Sequence, residues 1–578
     1  MKYNPVFLDE LNNKQREVCT STKNYVLTAC PGSGKTRLIT YRLAYLQGKY
    51  NDSRKYNIAI TYTNRAADEI DRRLDDMGID MSNIWCGTIH QFCMHFIIRP
   101  YAMYSDYLRY GYKIIDDYVT KQYCSEIAKE FNINVGYNDP LSFPKIKEEY
   151  LKKLYDNQEV DFDLILKLSI HLLKKNSFIA ENISSIIRSF QIDEFQDTNE
   201  LQYQILAEIV KHDKHINVMF VGDPNQSIFG SLGAVVKNVE EISNLFQVNF
   251  VEDKLEGCYR STSRIISLYK HFEVEQTGAF SASDKKGNLG IIKYNDSTHK
   301  SELVEILKNI IVEQIDNGIP EEEICIVAPQ WFQLFSVSKD LKEKLPMLKF
   351  DAPDISAFKY DPLNPFYLFA KLLFTKPGKR VRIRKRIATQ ILNILRNDFQ
   401  IFIDEKIDEY KLLNVINQCK PNNDDGILFY KASIYSIFSA MSIVLEDEEA
   451  LFDVFNTFIE RASKRIYDNH LPSSYNDFMK CFMEKQGIVV NTIHGVKGEE
   501  FTTVIAFGLL NGRLPNWQYI TNPEKKHLRN TETKKLLYVL ISRAKENLYM
   551  FSEKGYLTSN QNPYTPTEEL VNVDFDYD

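Results

Sequence analysis

Two α/β cores of parallel sheet flanked by helices, each interrupted by a mainly helical insertion, are the fold class this sequence predicts. Three observations carry that expectation. A glycine-bearing loop, Thr28 to Leu38 (TACPGSGKTRL), joins an apolar strand at Tyr25 to Ala29 to an apolar helix. Short apolar strands ending in polar or acidic loops then recur along the chain, as parallel α/β sheets require. The strand-and-loop pattern also occurs twice, and each occurrence is broken by charged, tyrosine-rich helical sequence.

The segment LNNKQREVC reads as a short amphipathic helix, with Leu11 and Val18 facing one way and Gln15 another. A glutamine amide offers a donor and an acceptor, which suits an adenine edge; the alternative is a plain surface glutamine. In the loop that follows, Gly32, Ser33 and Gly34 let backbone N–H groups wrap a triphosphate. Lys35 supplies a point charge and Thr36 a hydroxyl for magnesium. The strict GxxxxGK[ST] pattern is missed at its first position, where Ala29 stands. Asn57 to Tyr62 (NIAITY) predicts a buried strand, followed by Thr63, Asn64 and a helix ADEIDRRL. Trp85 to His90 (WCGTIH) predicts another strand-to-turn junction.

From about Phe96 to Ser185 the pattern turns helical. It returns to α/β at FQIDEFQDTN, where Asp193 and Glu194 close a short strand. Asp193 can hold magnesium through water, and Glu194 can orient and deprotonate an attacking water. Ser189 and Gln191 make this strand less apolar than a central parallel strand should be. Val218 to Ala234 (VMFVGDPNQSIFGSLGA) repeats the arrangement, with Gln226 placed to sense a γ-phosphate. In LEGCYRSTSRII, Tyr259 and Arg260 precede a helix; Arg260 is either a finger on the transferred phosphoryl group or a surface salt-bridge partner. A second α/β set begins near Gly290, with strands Ile291 to Lys293 and Ile324 to Ala328. It resumes at GIVVNTIHGVKGEEFTTVIAFGL and KKLLYVLISRAKENLYMF. The chain thus divides into a first core (1–95 and 186–278) with insertion 96–185, and a second core (279–375 and 485–578) with insertion 376–484.

A chain of 578 residues is too long for one core. Its 44% hydrophobic and 26% charged residues suit a soluble globular enzyme. No N-terminal apolar stretch of signal-peptide length and no membrane-length apolar run is present, so a cytoplasmic protein without membrane association is expected. Nine cysteines stand without a CxxC pair or a Cys/His cluster at zinc spacing, which argues against a disulfide framework or an iron–sulfur site. The net charge of −7 argues against a surface built to coat nucleic acid, and leaves room for a local basic channel.

Taken together and in order, ACPGSGKT, TYTNRAADEI, GTIHQF, IDEFQDTN, VGDPNQSIFG, GCYRSTSRI, NTIHGVKGEEF and LLYVLISRAK resemble the UvrD/Rep/PcrA group of superfamily 1A DNA helicases, over nearly the whole chain. Alanine is often found at the first phosphate-loop position in that group. The resemblance implies two RecA-like cores that close over ATP and Mg2+ and step 3′ to 5′ along single-stranded DNA, acting on tailed duplexes. It implies that Gln15 reads adenine and Tyr259 stacks on it, and that Lys35 and Thr36 bind phosphate and magnesium. Arg37 would line the nucleotide, Asp193 would hold the metal and Glu194 would be the base. Gln226 would contact the γ-phosphate, Arg260 and Arg543 would be fingers, and Glu500 would take the ribose. Thr63, Asn64, His90 and His494 fall in segments that touch the strand's backbone, with Tyr62 placed to stack on a base.

One departure stands out. A tryptophan and an arginine usual in the family are replaced by Ser231 and Leu232, which makes Phe229 and Tyr62 the nearest substitute aromatics and predicts a weaker grip on DNA. The run Lys376 to Arg386 (KPGKRVRIRKR), with seven basic residues, reads as a duplex- or partner-docking patch or as a solvated helix face. The acidic, aromatic terminus EELVNVDFDYD reads as a frayed end in preference to a docking segment. DNA repair and antiviral defence are both open as pathways. The competing function is a DNA-stimulated ATPase subunit that serves a partner nuclease, a role compact relatives hold in antiphage systems such as Gabija. No nuclease motif is evident in the chain itself.

Overall fold

The structure is a computed structural model and describes residues 3–50, 54–115, 117–136, 139–230, 233–282, 290–351, 357–358, 361, 364–377, 381–420, 424–469, 471–482 and 487–578. The chain forms two compact units. One comprises Met1–Thr28, Lys35–Gly222 and Phe229–Lys254, and the other Ala29–Gly34, Asp223–Ile228 and Leu255–Asp578. Ser231 and Leu232 lie outside the described residues. Among the described residues no helix is long and apolar enough to cross a membrane.

The first unit is built on β1 (Asn24–Ala29), β2 (Tyr56–Thr61), β3 (Ile84–Thr88), β4 (Ile187–Asp193), β5 (Asn217–Gly222) and β6 (Phe250–Leu255). They lie in the order β3-β2-β4-β5-β1-β6, and β1 with β5, β2 with β3 and β4, and β4 with β5 pair in parallel. Strand β4 is central despite its two polar residues, Ser189 and Gln191. Ser189 is fully buried and donates to Asn57 Oδ1 at 3.0 Å, which satisfies both groups inside the sheet. Gln191 is also fully buried, and neither of its amide atoms has a hydrogen-bond partner among the described residues. A buried unpaired amide costs about 1–3 kcal/mol, so packing on both faces of the strand outweighs its polarity.

Helix α1 (Asn13–Thr20) is welded to α2 (Lys35–Lys49) by Arg42. This buried guanidinium donates to the carbonyls of Val18, Cys19 and Ser21 at the end of α1, and to Asn217 on β5. Helix α3 (Asn64–Asp76) starts three residues before the expected ADEIDRRL. The Thr63 hydroxyl accepts the Ala66 N–H and caps it there. The first insertion has its own small core of Ile115, Cys124, Ile127, Ile146, Tyr150 and Leu154. It also holds a short parallel strand pair, Lys113–Ile114 with Glu159–Val160, which the helical pattern did not foreshadow. Its last helices, Phe162–Lys175 and Ser177–Ser185, pack on Glu200–His212 of the first core.

In the second unit, β7 (Ile292–Asn295), β8 (Ile324–Ala328), β9 (Phe350–Asp351), β10 (Ile488–Thr492), β11 (Phe501–Ala506) and β12 (Ala544–Phe551) form a parallel sheet in the order β7-β12-β11-β8-β10-β9. The sequence between β9 and β10 is mainly helical where described, around aromatic side chains that include Phe366, Phe374, Tyr430, Phe438 and Phe478. Part of the basic run belongs to this interior. Arg384 is buried and donates to the Leu372 and Thr375 carbonyls and to Asn417, so it caps a helix end and is withdrawn from any docking patch. Residues 378–380 of that run lie outside the described residues.

The terminus is not frayed. Arg264, on α4 (Ser263–Lys270), donates to both carboxylate oxygens of Asp578 at 2.7 and 2.6 Å and lies over the Phe575 ring. Asp578 also pairs with Ile292 of the edge strand β7, accepting its N–H at 2.6 Å and donating to its carbonyl at 2.9 Å. The last residues therefore cover an otherwise open sheet edge.

Candidate nucleotide site and nucleic-acid interface

The phosphate loop is shaped by two left-handed glycines, Gly32 at φ 71° and Gly34 at φ 82°. A Cβ at Gly32 would lie 2.5 Å from Arg260 Cβ and 3.0 Å from Cys258 Sγ, so only glycine fits against the Arg260 segment. The Tyr259 N–H donates to Gly32 O at 2.9 Å, and the Ser33 N–H to Cys30 O at 3.2 Å. Loop and Tyr259–Arg260 turn are thus one packed feature of the second unit, and a cradle for phosphate fits it.

In the first unit Lys35 opens α2 and lies 3.5 Å from Glu194 Oε1. Thr36 follows, its carbonyl accepting the Thr40 hydroxyl at 2.8 Å. Asp193 ends β4 and is 5% exposed. Burial, and then the neighbouring Glu194, push its carboxyl up, against the pull of Lys35. Glu194 has a left-handed backbone (φ 52°), uncommon for a residue with a side chain, and its carboxylate accepts from Gln196. An oxygen-donor pair of Thr36 and Asp193 suits magnesium, and the chain's own residues would hold it there.

Gln15 is not a surface residue: like Leu11 and Val18 it is buried. It is the third residue of a capping box: Asn12 Oδ1 accepts the Gln15 N–H at 2.8 Å, and Gln15 Oε1 accepts the Asn12 N–H at 3.2 Å. The box fixes the amide at the start of α1. Arg37 extends to Glu10 at 2.6 Å and over the Tyr41 ring.

The second unit gathers Gln226, Arg260, Glu500 and Arg543. Arg543 is 1% exposed and donates to Gln226 Oε1 at 3.0 Å, Glu499 O at 3.2 Å, Val539 O at 3.1 Å and Ser542 Oγ at 2.9 Å. Gln226 Nε2 donates to Asp223 Oδ2 at 2.8 Å, where the Tyr538 hydroxyl also donates at 3.0 Å. Lys497 Nζ donates to Gln226 O at 2.5 Å. Arg260 Nε donates to Glu500 Oε2 at 2.5 Å and its Nη1 to Ser542 O at 3.2 Å. It is therefore a salt-bridge partner that sits on the phosphate loop. Asp223, Tyr538 and Lys497 escaped the sequence reading. Asp223 was findable, since it follows β5 as Asp193 ends β4.

Of the residues expected near DNA, Tyr62 and Phe229 stack on each other with centroids 5.0 Å apart and planes at 24°. Tyr62 stays 37% exposed. Thr63 spends its hydroxyl on capping α3, and Asn64 Oδ1 is buried without a hydrogen-bond partner among the described residues. His90 lies edge-on to Phe162, and burial pushes its ring pKa down. His494 lies in the turn after β10, its carbonyl accepting the Lys497 N–H at 3.3 Å.

Two RecA-like parallel α/β cores with a phosphate loop, an acidic strand end at Asp193–Glu194 and the buried Arg543 fit the class of P-loop motors. The profile of the UvrD/REP helicase N-terminal domain matches residues 11–140 and 138–247, and that of the UvrD-like helicase C-terminal domain matches residues 432–555. ATP-dependent DNA helicase PcrA of Staphylococcus aureus (strain Mu50) is 24% identical over 630 aligned residues, covering 94% of this chain and 83% of the relative. PcrA of Staphylococcus epidermidis (strain RP62A) is 25% identical, covering 93% and 83%. The chain belongs to the UvrD/Rep helicase family.

Proposed function

We propose that this chain is a 3′-to-5′ translocase that couples ATP hydrolysis between its two RecA-like cores to movement on single-stranded DNA. As a UvrD/Rep family member it is an ATP-dependent DNA helicase. The observation that carries the finer reading is the contact of phosphate-loop Gly32 with Arg260, which brings a finger candidate onto the loop that cradles phosphate. Lys35 exchanges its Glu194 partner for phosphate, and the freed carboxylate takes a proton from the attacking water. Thr36 and Asp193 would hold magnesium, which would supply charge neutralisation to the phosphates. Gln15 reads the base and Tyr259 stacks on it, Arg37 lines the nucleotide, and Glu500 takes the ribose.

On the DNA side, the Tyr62–Phe229 stack stands in for the missing tryptophan. Tyr62→Ala is expected to weaken binding of a single-stranded oligonucleotide by about 1–3 kcal/mol, read by fluorescence anisotropy at fixed salt. An unchanged affinity would remove Tyr62 from the interface. Polarity is tested by unwinding of duplexes with a 3′ or a 5′ tail; the 3′-tailed duplex is expected to open and the 5′-tailed one to resist. Preference for the 5′ tail would overturn the reading. Failure to unwind either, with DNA-stimulated hydrolysis intact, would favour the accessory ATPase subunit of a partner nuclease.

A further inference from the structure

The Arg260 turn is stitched to residues 542–545. Besides the bond from Arg260 to Ser542, the Ser261 hydroxyl donates to Ala544 O at 2.6 Å and the Thr262 N–H to Lys545 O at 3.0 Å. Lys545 Nζ lies 3.0 Å from each carboxylate oxygen of Glu323 and 3.8 Å from Glu500 Oε1, while the other Glu500 oxygen holds Arg260. Glu323 is itself pinned, because its Oε2 accepts the Thr502 N–H at 2.9 Å and the Thr502 hydroxyl at 2.8 Å. The result is a row of four charges alternating in sign, Glu323, Lys545, Glu500 and Arg260, whose last member rests on Gly32 of the phosphate loop.

We propose that Lys545, fixed by Glu323, is a positioning residue for phosphoryl transfer: it holds the charge of Glu500 when Arg260 leaves that carboxylate for the nucleotide. The inference rests on the reading of Arg260 as a finger. The Glu500 side chain is 46% exposed, so water solvates part of its charge. A guanidinium at 2.5 Å is still released more readily when a second cation already faces the anion. Lys545 is already beside it, on the opposite oxygen. Arg260 and Lys545 together hold the Glu500 carboxyl below its ordinary range, against the burial that pushes it up. Glu323 keeps Lys545 from following Arg260, because two oxygens and a strand residue anchor it. The exchange falls between ATP binding and chemistry, so it governs turnover more than affinity.

Lys545→Ala is expected to lower kcat of DNA-stimulated ATP hydrolysis about tenfold, equal to ~1.4 kcal/mol, with the ATP KM changed less than about threefold. Lys545→Arg keeps the charge and should bring kcat back to within about threefold of the unaltered chain. Glu323→Gln, nearly isosteric, should give an intermediate kcat and guards against a mere folding defect in the first variant. An unchanged kcat in both Lys545→Ala and Glu323→Gln would overturn the proposal. So would a raised KM at constant kcat, or a loss that Lys545→Arg does not restore. Absence of hydrolysis in the unaltered chain would instead overturn the motor reading, so the two failures are distinguishable.

Discussion

Glu194→Gln is expected to slow ATP hydrolysis by about 10²–10⁴-fold, the usual worth of a positioned general base, while ATP still binds. Backbone and charge both single out this carboxylate. Its left-handed φ of 52° turns it out of β4 directly after Asp193, and Gln196 holds one oxygen while Lys35 faces the other at 3.5 Å. The amide keeps the shape but cannot accept a proton, and it removes the negative neighbour that raises the Asp193 carboxyl. Metal and nucleotide affinity should therefore survive. Steady-state hydrolysis with single-stranded DNA, beside equilibrium binding of a fluorescent ATP analogue, checks both halves. Hydrolysis within about threefold of the unaltered chain would assign the base elsewhere.

Arg543→Ala is expected to be costly twice. Loss of an arginine finger lowers turnover by about 10³–10⁵-fold. In addition, truncation strands the Gln226 amide oxygen and the Glu499 carbonyl, while the Val539 carbonyl and the Ser542 hydroxyl lose one of their partners and keep each other. Leaving a buried acceptor unsatisfied costs about 1–3 kcal/mol, so the urea midpoint should fall along with activity. The Gln226–Asp223–Tyr538 chain would lose the group that orients it. Hydrolysis within about tenfold of the unaltered chain and an unmoved midpoint would show that Arg543 is neither finger nor pin.

Both substitutions fall on residues that were legible before any coordinates. For Glu194 the reason is that its surroundings are local, whereas Arg543 was named only by the family resemblance and its partner Gln226 lies 317 residues away. A strand that ends in an acidic pair, or a glycine loop that opens a helix, is written in a handful of consecutive residues, and backbone sterics translate it directly. Gln15 was less legible. Its pattern as a helix-face residue could not distinguish a surface amide from one buried in a capping box, because the decision lay with α2 and Arg42, which pull α1 against the first core. The terminal EELVNVDFDYD carried the composition of a loose end, and only the Arg264 side chain, 314 residues away in sequence from Asp578, turned it into a strap.

The sequence by itself determined the α/β cores, the phosphate loop with Lys35 and Thr36, and the Asp193–Glu194 strand end. Only the tertiary structure decided which distant charges meet. Glu323 and Lys545 look like solvated surface charge in the chain and are 222 residues apart, yet the order β12-β11-β8 in the second sheet brings their ends together beside Glu500. A carboxylate and an ammonium have the same local sequence signature in water as in a network. Chain topology alone makes them partners, and through Arg260 it brings that network onto the loop where phosphate is read.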